Sequence, residues 1–126
     1  MFDGVEHVAI ASPSPAALAQ WYVAHLAFRK IYEYDGNHFV KASNGAILEI
    51  IPAQGDRAQQ KMYDPGLRHM AISVKDLDAA YTSLQGRGVN FLGEPYSTAT
   101  GSRIVFFTDC EGNILHLIQR AHPLPE

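Results

Sequence analysis

Apolar and polar positions alternate with period two over Val5–Ala11. This predicts a strand with His7, Ala9 and Ala11 on one face and Val8 and Ile10 on the other. Ser12-Pro13-Ser14-Pro15 then opens a helix, with Ser14 as N-cap and Pro15 at the first helical position. Leu18, Tyr22 and Leu26 recur at helical spacing beside Trp21 and form its apolar stripe. Two strands follow, Arg29–Tyr34 and Asn37–Ala42. They are joined by Asp35-Gly36, a dipeptide suited to the positive φ angles of a tight hairpin turn. Ser43-Asn44-Gly45 turns the chain into a fourth strand, Ala46–Ile51. The unit reads βαβββ.

From 52 to 66 the composition shifts to Gln, Asp, Lys and Gly, as in a linker. The order then repeats. Leu67–Val74 is a strand, and Asp76 caps a helix with Leu77, Ala80, Tyr81 and Leu84 on one stripe, ended by Gly86 and Gly88. Strands over Asn90–Gly93, Arg103–Thr108 and Ile114–Gln119 complete it. Gly93–Ser102 reads as a loop and Asp109–Asn113 as a turn.

The two halves are a concealed duplication. Glu6-His7-Val8-Ala9-Ile10 is echoed by Arg68-His69-Met70-Ala71-Ile72, and Asn44-Gly45-Ala46-Ile47-Leu48-Glu49-Ile50 by Glu111-Gly112-Asn113-Ile114-Leu115-His116-Leu117. The offset that carries His7 onto His69 also carries Ser14 onto Asp76, so the helix caps coincide independently of the histidines. Between Glu49 and His116 the offset is five residues larger, and Gly93–Ser102 is the natural place for the insertion. A folded duplication with a pseudo-two-fold axis would set His7 against His69 and Glu49 against His116.

Alternation decides the direction of these side chains. The helix of each half needs a face of large aliphatics, which Val8, Ile10, Leu48, Ile50, Met70, Ile72, Leu115 and Leu117 supply. His7, Glu49, His69 and His116 fall on the other face, beside the small residues Ala9, Ala71 and Ser73. An ionised Glu49 there is costly unless paired, and a divalent metal resolves that cost. Singly, each histidine reads as a strand residue bonded to a neighbouring loop. Paired by the repeat, with two further ligand types at matching positions, they read as metal ligands. His116 is the residue for which a second role, as acid/base or substrate contact, competes with ligation. Three nitrogens and one oxygen suit Zn, Ni, Co, Fe or Cu better than Mg or Ca.

The paired βαβββ units and the Asp109-Cys110-Glu111-Gly112-Asn113-Ile114-Leu115 run before the last ligand position resemble the vicinal oxygen chelate superfamily. It includes glyoxalase I, methylmalonyl-CoA epimerase, extradiol dioxygenases, fosfomycin-resistance enzymes and bleomycin-binding proteins. The resemblance spans about Val5 to Gln119. It implies an α+β fold in which two tandem βαβββ modules form a curved, open, barrel-like mixed sheet with helices outside. It also implies a metal held at the positions of His7, Glu49, His69 and His116, with coordination sites open to two adjacent substrate oxygens. His116 stands where glyoxalase-like and dioxygenase members most often have Glu, the proton-transfer base in the glyoxalase and epimerase members. Three histidines and one glutamate leave a divalent centre at net +1, more Lewis-acidic than the neutral set of two and two. Proton transfer then falls to Glu49, His116 or metal-bound hydroxide.

Other candidates attract simpler readings. His38 reads as a solvated strand end, His25 as a helix-end residue favoured by the helix dipole, and His122 as an exposed tail residue. Cys110 has no basic or histidine neighbour in sequence to activate it. Arg103 reads as a solvated strand end before an anion contact. Phe39, Tyr63, Tyr96 and Phe106 are candidates for a pocket wall, and strand parity gives only Phe106 a direction.

Composition narrows the class. The 126 residues, 47% of them hydrophobic, suffice for one domain with a real core, comprising modules 5–51 and 67–119 and linker 52–66. A net charge of −3 leaves no electrostatic footprint for nucleic acid or an anionic membrane. The single cysteine forms no internal disulfide, and Met1-Phe2-Asp3-Gly4 lacks the pattern of a secretory signal, which together predict a cytoplasmic protein. The expected partner is a small-molecule substrate, with a homodimer implied by the resemblance. The functions weighed are a metal-dependent lyase or isomerase of glyoxalase type, an extradiol-type dioxygenase, and a metal-free binding protein like the bleomycin-binding relatives. Lyase or isomerase chemistry is preferred, because four protein ligands leave fewer open sites than an iron oxygenase uses. The quartet counts against the binder.

Overall fold

The computed structural model describes residues 1–59 and 61–125, which contain two helices and nine strands. The chain divides into two compact units, Met1–Gln59 and Gln60–Glu126.

The first unit comprises β1 (Val8–Ser12), α1 (Pro15–Leu26), β2 (Arg29–Tyr34), β3 (Asn37–Lys41) and β4 (Ile47–Pro52) in a sheet of order β1-β4-β3-β2. β1 runs parallel to β4, and the other pairs are antiparallel. The hairpin turn is as its sequence predicts, with Asp35 at φ 48° and Gly36 at φ 79°. Helix α1 covers the sheet face that carries Val40, Leu48 and Ile50, and Leu18 and Tyr22 are wholly buried there. Alternation turns Phe39 and Glu49 to the other face. β1 is shorter than predicted and leaves His7 just before its first residue. Val8, expected in the core, is 46% exposed. His38 is a correction of the opposite sign. It lies on the helix-covered face and is buried, because its parity is that of Val40.

The second unit repeats the plan. It comprises β5 (Met70–Ser73), α2 (Leu77–Gly86), β6 (Asn90–Phe91), β7 (Tyr96–Ser97), β8 (Arg103–Thr108) and β9 (Ile114–Gln119), with sheet order β5-β9-β8-β6 and β7 also paired to β8. β5 is parallel to β9, the counterpart of β1 and β4. Val105, Phe107, Leu115 and Leu117 join Leu77 and Leu84 in the core. β7 falls inside the segment expected to be loop. Two residues pairing with β8 leave too short an alternation to recognise in sequence.

The helix caps differ. Asp76 accepts a hydrogen bond from the Ala79 amide at 3.1 Å, as its place in the repeat predicts, and Gln119 Oε1 accepts another from the Leu77 amide at 2.8 Å. Ser14 makes no side-chain cap, and its amide instead donates to Ser12 Oγ at 2.9 Å, with Pro15 starting the helix. α1 ends on Ala27 at φ 58°, ψ 27°, whose amide donates to the Tyr22 carbonyl. This left-handed position is normally glycine's, because Cβ crowds the backbone there. Ala27→Gly is expected to raise stability to urea by about 0.5–1 kcal/mol, read as a higher unfolding midpoint at unchanged slope.

Candidate functional site

The first unit brings two of the four predicted ligands together. Glu49 lies mid-strand in β4, in register with Ala9 on one side and Phe39 on the other, and its side chain is 14% exposed. His7 reaches it from the residue before β1, Nε2 to Oε1 at 3.2 Å. The other ring nitrogen, Nδ1, is 2.6 Å from Glu6 Oε1. Glu6 thus holds one nitrogen of His7 and leaves the second to face Glu49, the arrangement by which a carboxylate sets a histidine's tautomer and orientation in metal sites. The hydrogen bond to Glu6 is the main cause that raises the His7 pKa, with the charges of Glu6 and Glu49 acting the same way against partial desolvation.

The second unit brings the other two together. His116, 5% exposed in the middle of β9, has its ring centroid 4.3 Å from that of His69, which precedes β5 as His7 precedes β1. Phe106 lies in register with His116 and stacks on it at 4.9 Å, 28°, while meeting His69 edge-on at 5.5 Å. Burial pushes the His116 pKa down to about 4, helped by His69 and then Arg120. His116 Nδ1 is buried and has no hydrogen-bond partner among the described residues. A buried neutral imidazole with an unused nitrogen fits an electrophile better than it fits a structural role.

Among the described residues no group of three or more His, Cys, Asp or Glu is gathered closely enough to hold a metal ion. The side chains form two pairs, His7–Glu49 and His69–His116, each of ligand chemistry. The remaining candidates fall away. His25 lies against Trp21, ring centroids 5.0 Å apart, and His122 is exposed. Arg103 pairs with Asp78 at 2.7 Å, which ties β8 to α2. Cys110 has its thiol pKa raised by burial and by Asp109 and Glu111, the reverse of an activated nucleophile. Tyr63 and Tyr96 are exposed. Sequence reasoning passed over Glu6 and left Phe39 without a direction. The strand parity that turns Glu49 outward also turns Phe39 outward, two strands being paired at those residues.

The sequence matches the Glyoxalase/Bleomycin resistance protein/Dioxygenase superfamily over residues 4–117. The chain belongs to this superfamily. A comparison with curated protein sequences returns no match. Among solved structures, a glyoxalase family protein from Enterococcus faecalis is 26% identical with a TM-score of 0.79, over 94% of this chain and 98% of that one. A superfamily member from Sphaerobacter thermophilus is 20% identical with a TM-score of 0.78, over 94% and 98%. The oxidase ChaP-H2 is 21% identical with a TM-score of 0.76, over 97% of each chain. The last two establish a common fold and nothing further. No helix among the described residues is long and apolar enough to cross a membrane.

The two histidines that titrate abnormally should act oppositely in metal-free protein. His116 is favoured neutral in the fold, so the unfolded chain binds its proton first. Its contribution weakens the fold as pH falls from about 6.5 to about 4 and is level outside that window. His7 is favoured protonated, so its contribution is full below about 6.5 and is lost as pH rises through its raised pKa. Ring-proton NMR titration is expected to show His116 unprotonated at pH 5 and His7 protonated there. Glu6→Gln should lower the His7 midpoint and leave that of His116 unmoved.

Proposed function

We propose that this protein is a divalent-metal-dependent enzyme acting on a small substrate with two adjacent oxygens, by lyase or isomerase chemistry that moves a proton beside a carbonyl. The observation that carries the reading is the His69–His116 pair with its buried, unpartnered Nδ1, matched at repeat-equivalent positions by His7–Glu49. Ligands are His7, Glu49, His69 and His116, and the ion is Zn, Ni, Co, Fe or Cu rather than Mg or Ca. Such an ion, when bound, supplies Lewis acidity to the substrate's paired oxygens and acidifies the adjacent C–H.

The chain's own residues then divide the work. Of the two groups proposed for proton transfer, Glu49 and His116, Glu49 is the better acceptor. Its carboxylate lies on the sheet face away from α1 and is steadied by His7. His116 has a proton affinity too low to retain a proton near neutrality, so it serves as an uncharged nitrogen donor. Glu49 takes the proton from the carbon beside the carbonyl; returned to the neighbouring carbon it completes an isomerisation, and given to a group that leaves from that carbon it completes an elimination. Phe106 against His116 limits water at that imidazole. In this reading the protein acts as a homodimer in the cytoplasm.

Metal analysis by plasma mass spectrometry, on protein purified without a histidine tag, tests this. About one equivalent of transition metal per chain is expected. His69→Ala should reduce it at least about tenfold with an unchanged circular dichroism spectrum. Unchanged stoichiometry in that variant would defeat the ligand assignment. No metal uptake by the native chain would defeat the enzyme reading and favour a metal-free binding protein.

A further inference from the structure

Beyond Glu49 the first unit carries an aromatic cluster on the sheet face away from α1. Phe39, in register with Glu49, stacks on Tyr34 with centroids 6.2 Å apart at 18° and lies 5.8 Å from Tyr32, while the two tyrosines are 5.7 Å apart. Tyr32 and Tyr34 are 59% and 47% exposed, so three rings form a surface that water covers. Exposed aromatic surface of this kind, each tyrosine with a hydroxyl at its rim, is what binding sites use to hold flat apolar groups.

Its position gives it an occupant. Phe39 meets His7 edge-on, centroids 6.2 Å apart at 71°, so the cluster runs without a break into the His7–Glu49 pair. The offset that carries Glu49 onto His116 carries Phe39 onto Phe106, so each half sets a phenylalanine opposite its strand ligand. In the second unit that phenylalanine rests on His116 and His69. In the first it continues outward into Tyr34 and Tyr32. The halves match beside the ligands and differ one residue further out, which is where recognition of a particular substrate belongs.

We propose that Tyr32, Tyr34 and Phe39 form the platform for a flat aromatic group of the substrate, joined through a single carbon to the oxygens that reach the His7–Glu49 pair. The separation of Phe39 and His7 is that of neighbouring rings in contact, so no long spacer joins the two parts. The chelating half of this statement rests on the proposed function, and the aromatic half does not.

Two probes with the same chelating head separate the parts: benzohydroxamic acid, which carries a ring, and acetohydroxamic acid, which carries a methyl group. On zinc-loaded protein, NMR titration should show the ring-bearing probe binding at least about tenfold more tightly. In Y32A/Y34A, and in Y32L/Y34L, which keeps apolar cover without rings, the preference should fall to about twofold or less, with zinc affinity unchanged. Equal binding of both probes to the native chain overturns the platform, as does a preference that survives in the variants. So does loss of a dimer in Y32A/Y34A without loss of preference, which would give the cluster to a second copy of the chain. If zinc does not bind, the metal reading fails on its own account. The preference is then scored by the same criterion on metal-free protein, from shifts of the Tyr32, Tyr34 and Phe39 ring protons.

Discussion

Everything at the site depends on the alternation of β4 and β9. In each strand two aliphatic side chains, Leu48 and Ile50 or Leu115 and Leu117, are buried to within a few per cent of completely. That burial is worth roughly 1.5–3 kcal/mol per side chain. A slip of one residue would expose both and drive Glu49 or His116 under a helix, so the two aliphatic side chains together hold the register with roughly 3–6 kcal/mol. The directions of Glu49 and His116 are thus enforced by their neighbours. The parallel neighbours β1 and β5 follow the same parity through Ala9↔Glu49 and Ala71↔His116, and the alanines leave the faces around both side chains uncrowded.

The turn before β9 shows the same economy. Asp109 is 3% exposed yet accepts from the Glu111 and Asn113 amides at 2.9 and 3.0 Å and from the Asn113 side chain at 2.7 Å. A buried carboxylate with those donors is solvated by the protein itself. It fixes where β9 begins, and so where His116 lies two residues later than Ile114.

Much of this architecture was legible before any coordinates. Arg29–Tyr34, Arg103–Thr108 and Ile114–Gln119 have the predicted bounds, because each is a strand-length run rich in β-branched, aromatic or aliphatic residues next to a turn signal. The Asp76 cap was legible because two independent signals, its residue type and its place in the repeat, agree. The misses have distinct causes. Val8 depends on how far a helix reaches across its sheet, which parity does not state, whereas His38 shares the parity of Val40, a signal that its reading as a strand end passes over. β7 is too short to have a period. Glu6 acts through a single side-chain contact from an exposed position, and no spacing encodes that. The phenylalanine opposite each strand ligand was encoded, in the repeat offset, but only cross-strand register makes the match visible.

The outer edge of the second sheet is not one strand but two fragments. β6 and β7 each give two residues to β8, with Leu92, Gly93, Glu94 and Pro95 between them. The corresponding edge of the first sheet, β2, runs six residues with only a bulge between Lys30 and Tyr32. Pro95 cannot donate to a ladder, and a broken edge resists pairing with a stray strand better than a continuous one. Such an edge also accepts further residues at small entropic cost, since lengthening a surface loop costs only a few tenths of a kcal/mol per added residue or less. His116 lies on β9 and His69 just before β5, and neither of those strands pairs with this edge. Evolution can therefore lengthen and re-sculpt the second half's rim without re-solving the problem of placing its histidines, a freedom that the continuous β2 denies the first half.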